Sequence, residues 1–109
     1  MAYDAGMAET MADDLGGHPG LSEKHMFGGI CWLLDGNMVC GVGKDGAMYR
    51  VGKDQEPRAM ALEGALPMTF TGRKMGGFVT VPETAFGDDE NRKIWTSLAL
   101  KNAAGLPAK

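Results

Sequence analysis

The chain has 109 residues, the size of one domain, with 44% hydrophobic residues and a net charge of −3 from 11 basic and 14 acidic side chains. That balance lacks the basic stripe that phosphate neutralisation requires, so direct nucleic-acid binding is not expected. No run of about 18 apolar residues is present, which argues against a transmembrane helix, and the acidic stretch from Met1 to Leu15 does not fit a secretory signal, so a cytoplasmic protein is expected.

Met7, Ala8, Met11, Ala12 and Leu15 recur at helical spacing and predict a helix over 4–15, ended by Gly16-Gly17 and Pro19. Residues 26–34 read as a strand entered through Gly28-Gly29. Asp35-Gly36 is a two-residue hairpin signal, and residues 37–42 return as a second strand. After the turn Gly43-Lys44-Asp45-Gly46, residues 47–51 form a third strand closed by Gly52. A short helix over about 55–62 follows, with Asp54 as its cap and Pro57 in its first turn. Residues 67–71 and 75–81 form two more strands around Gly72-Arg73-Lys74. Pro67 stands at a strand start, where it removes no ladder bond, and Pro82 ends the pair. The last helix spans about 89–104: acids at 88–90 suit its positive end, Lys101 its negative end, and Gly105 and Pro107 stop it. The order α-β-β-β-α-β-β-α with tight turns predicts one α+β domain over 1–109. It has two layers, with a mainly antiparallel five-stranded sheet covered by helices on one face.

The segment from Gly41 to Gly46 spells G-x-G-x-x-G, but a strand follows it where a dinucleotide site needs a helix, so it is read as a hairpin turn. No cofactor is expected. His18 and His25 lack metal-ligand spacing with Cys31 and Cys40, so no metal is expected either. No Ser stands in a nucleophile elbow and no acid-base constellation appears, so no catalytic residue is assigned and an enzyme is not expected. Counting outward from a two-residue loop, Leu33 faces Met38, Trp32 faces Val39, and Cys31 faces Cys40. The cysteines then form a non-hydrogen-bonded pair with Cα atoms about 4.5 Å apart, reduced in a cytosol.

The first hairpin departs from the alternation of a sheet with one wet face. Ile30, Trp32 and Leu34 point one way, Cys31 and Leu33 the other, and Met38, Val39 and Cys40 continue the apolar character of both faces. Helices cover one face of a two-layer domain, so the other needs a second copy or a partner protein. Ile30, Trp32, Leu33, Met38 and Val39 are the candidate interface residues. Arg50 and Arg73, near glycine-rich turns, are candidates for holding a small anion in an alternative role as a ligand sensor.

Met26-Phe27-Gly28-Gly29 at a strand start resembles the signature of the TfoX N-terminal domain family. Met48-Tyr49-Arg50-Val51-Gly52 is similar to the family's third strand, Phe70 to Val79 to its second hairpin, and Trp95 to Ala104 to its alanine-rich final helix. The resemblance runs from about residue 5 to 107. It implies an α-β(3)-α-β(2)-α fold and a regulatory rather than enzymatic role, since named members regulate bacterial competence genes. The regulators proper carry a further C-terminal helical domain that these residues do not match. The expectation is therefore a standalone interaction domain, acting as a homodimer or docked on a partner protein.

Overall fold

Asp4 opens the first helix because its carboxylate accepts hydrogen bonds from the Gly6 and Met7 amides, at 2.7 and 3.1 Å. The computed structural model describes residues 3–26, 28–70 and 72–108; Phe27 of the Met-Phe-Gly-Gly motif and Thr71 of the second hairpin lie outside the described residues. In chain order the elements are α1 (Ala5–Leu15), β1 (Leu21–Met26), β2 (Gly29–Leu34), β3 (Asn37–Gly43), β4 (Gly46–Arg50), α2 (Glu56–Met60), β5 (Leu66–Phe70), β6 (Arg73–Val81), α3 (Glu83–Phe86) and α4 (Asp89–Ala104). The six strands form one antiparallel sheet in the order β1-β2-β3-β4-β6-β5.

The sheet has six strands rather than the five expected. The additional strand, β1, has the sequence Leu-Ser-Glu-Lys-His-Met, and four of its residues, Ser22 to His25, are exposed. It is an edge strand held by its ladder to β2, and it carries charged side chains where a bare edge would invite pairing with another chain. A single-turn helix, α3, also follows Pro82, too short for periodicity to reveal.

Asp35 and Gly36 both have positive φ, 50° and 86°, as a primed two-residue turn requires. The ladder begins as expected with Leu34 opposite Asn37 and Leu33 opposite Met38, but then shifts by one residue. Val39 is the extra residue of a β-bulge. Trp32 therefore faces Cys40, and Cys31 faces Gly41. The predicted Cys31–Cys40 pair does not form, and the two free thiols point to opposite faces. The bulge brings Val39, Cys40 and Val42 into the core, at 0%, 0% and 2% exposure. It leaves Gly41 where a Cβ would come within 2.8 Å of the Ile30 carbonyl oxygen and 3.0 Å of the Cys31 sulfur.

The four described helices lie on one face, with α4 touching α1, α2 and α3 and packing over β2, β3 and β4. Trp95, wholly buried, stacks on Tyr49 at 6.0 Å between ring centroids and donates its indole N–H to the Ala59 carbonyl of α2 at 3.1 Å. Arg92 ties α4 to α1: its Nε reaches an Asp14 carboxylate oxygen at 2.6 Å, and its Nη1 reaches Asp89 at 2.7 Å and the Phe86 carbonyl at 3.2 Å. The β6 strand kinks at Gly77 (φ 86°), whose amide donates to Glu56 of α2 at 2.7 Å while Lys74 pairs with the same carboxylate at 2.7 Å.

Candidate functional site: the open face of the sheet

Successive strand residues point to opposite faces, so the register divides the sheet's side chains cleanly. Toward the helices go Ile30, Trp32 and Leu34 from β2, Val39, Cys40 and Val42 from β3, Ala47 and Tyr49 from β4, and Val79 and Val81 from β6; all join the core. Among the described residues the opposite face carries no helix. There a trough of about 540 Å³ runs across the strands. Its lining includes five of the chain's nine methionines: Met26 on β1, Met38 on β3, Met48 on β4, Met68 on β5 and Met75 on β6.

The floor of the trough is set by small residues. Cys31 from β2 lies beside Gly41 of β3, and the absence of a side chain at Gly41 lets the Met48 methyl and the Cys31 sulfur approach the same point. Burial raises the Cys31 thiol above its ordinary pKa, so the thiol is neutral and behaves as a small apolar group. Phe78 closes one side, and the Arg50 guanidinium lies 5.8 Å from its ring centroid. The methionines are half-buried, while Leu66 at the β5 edge is 52% exposed.

Of the five candidate interface residues, Ile30, Trp32 and Val39 are therefore core residues of the helix-covered face, whereas Leu33 and Met38 stand opposite each other on the open one. Arg50 also lies on the open face, held over Phe78. Arg73 stands at the exposed start of β6. Alternation places Arg73 on the same side as Met75, because Lys74 between them turns toward Glu56 on the helix side. Of the five trough methionines only Met38 is among the candidate interface residues read from sequence, although nine methionines in 109 residues is a signal of adaptable packing.

The Gly41–Gly46 segment is the β3–β4 hairpin, with Gly43 opposite Gly46, and it forms one end of the trough. Among the described residues, no three of His, Cys, Asp and Glu gather as metal ligands. No described helix is long and apolar enough to cross a membrane.

These observations define the class: a two-layer α+β domain with one sheet face sealed by helices and the other left as an apolar trough. The chain belongs to the TfoX N-terminal domain family, whose model matches residues 13–103. It is thus a domain of the kind found in competence regulators. No curated protein and no solved structure matches the chain.

Proposed function

We propose that the protein is a non-enzymatic, cytoplasmic interaction domain that docks on another polypeptide through the open face of its sheet. One observation carries this reading: the face without helices presents five methionines, Cys31 and Phe78 in one continuous trough. Thioether side chains are unbranched and polarizable, and they repack around differing partners at low cost. A built apolar surface of this kind is costly to leave permanently wet.

The test compares wild type with Met48→Glu, which places a charge in the middle of the trough without entering the core. Both proteins should show the same circular dichroism and the same melting temperature within a few degrees. Wild type should retain a specific polypeptide from its native lysate that Met48→Glu loses. Identical captured sets from the two proteins would count against the face as the docking surface.

A further inference from the structure

We infer that the occupant of the trough is an acidic amphipathic helix of a different protein, not a second copy of this chain. The inference rests on the docking reading above and specifies its partner. It comes from how the sheet sorts charge. Although the chain carries 14 acids against 11 bases, the charged strand residues on the open face are all basic. Lys24 of β1 stands opposite Cys31 and so shares its face. Arg50 of β4 stands opposite Phe78 and lies over its ring. Arg73 of β6 shares the side of Met75. The one acid in the described strands, Glu23, stands opposite the core residue Trp32 and faces the helix side. Among the described residues the one carboxylate lining the trough is Asp45, in a turn beside Lys44. An acidic protein has thus gathered cations around its apolar face.

The dimensions fit a polypeptide. The trough reaches from β1 to β5, five strand spacings at about 4.8 Å each, or roughly 24 Å. A helix of about 16 residues has that length at 1.5 Å per residue. Apolar side chains at i, i+3, i+4 and i+7 would enter between the methionines, and flanking carboxylates would meet Lys24, Arg50 and Arg73. A symmetric face-to-face dimer would instead set this cationic group against its own copy, a like-charge arrangement that disfavours pairing.

The experiment uses the full chain with its methionine methyls labelled with carbon-13. It uses two 18-residue helical peptides with one identical Leu/Ala face, the other face bearing Glu in one and Lys in the other. The Glu peptide should shift the methyl signals of Met26, Met48 and Met75 and bind at least about tenfold more tightly than the Lys peptide at low salt, with the gap narrowing as salt rises. Arg50→Glu and, independently, Lys24→Glu should each shrink or invert that preference. Equal binding of both peptides at the same methyls would leave the docking reading standing and overturn the acidic partner. Methyl shifts on simple dilution, with a dimer in the ultracentrifuge, would also overturn it in favour of self-association. No methyl shift with either peptide would count against the docking reading itself.

Discussion

Gly28 and Gly29 meet two different demands at the entry to β2. Gly28 has φ 75°, in the region that side chains avoid, whereas a Cβ on Gly29 would collide with the Val42 carbonyl of β3. Gly29→Ala should therefore cost about 1–3 kcal/mol, because the neighbour is backbone and cannot rotate away. Gly87 has an ordinary φ of −70° and open space where a Cβ would stand, so Gly87→Ala should be neutral or slightly stabilising. Thermal melts of the two variants give the comparison.

Glu56 supplies the residue-scale pH dependence. Its carboxylate pairs with Lys74 and accepts the Gly77 amide, and these two contacts hold its pKa below the usual glutamate value. A lowered folded pKa stabilises the fold fully above the unfolded value of about 4.3, and that stabilisation disappears as pH falls through the lower folded value. Glu56→Gln should lower stability at pH 7 by at most about 1 kcal/mol, since Lys74 is 60% exposed and solvent screens the pair. It should also flatten the loss of stability between pH 5 and 3, about the carboxylate range. Urea midpoints across that range would detect it. An acid limb as steep as that of wild type would mean that other carboxylates control it.

At the scale of elements, the bulge at Val39 decides the chemistry of the cysteines. In a regular hairpin Cys31 and Cys40 would be neighbours; here Cys40 lies in the core, where burial raises its thiol pKa, and Cys31 lies on the trough floor. Side chains on opposite sheet faces cannot be joined at the Cβ separation a disulfide needs, about 3.8 Å. Mild oxidation of the native protein should leave both thiols countable after denaturation, and a quantitative intramolecular disulfide would contradict the register.

The bulge was not legible in the sequence because both registers place apolar side chains on both faces. No polar residue marks the wrong one. The helices were legible where caps are strong: Asp88 accepts from the Asn91 amide at 3.0 Å, and α4 runs over Asp89–Ala104 as the composition predicted. β1 escaped because an exposed edge strand with charged residues has no apolar period to detect. Its omission also hid Lys24, and with it one of the three cations of the open face.

For the whole molecule, the absence of alternation in the first hairpin reflects apolar side chains on both sheet faces, and the topology shows which face the helices cover. Trp32 and Val39 pack beneath the helices, while Met38 and Leu33 face away from them. A trough assembled from β1 through β5 joins residues as distant in sequence as Met26 and Met75, so local patterning could not display it. The gathering of Lys24, Arg50 and Arg73 against a net charge of −3 belongs to the same scale, since strand order brings them to one face.

Docking on the methionine face requires that the chain itself leave this face uncovered. Attenuation of carbon-13 methionine methyl signals by a neutral paramagnetic agent in solvent tests it directly. Met26, Met48, Met68 and Met75 line the open trough, whereas Met7 and Met11 of α1 are buried in the core at 7% and 0% exposure. Strong attenuation is expected for the trough methyls and little for the Met7 and Met11 methyls, at both low and high micromolar protein. Trough methyls as protected as Met11 would contradict it, because the chain or its own copy would then already cover the face.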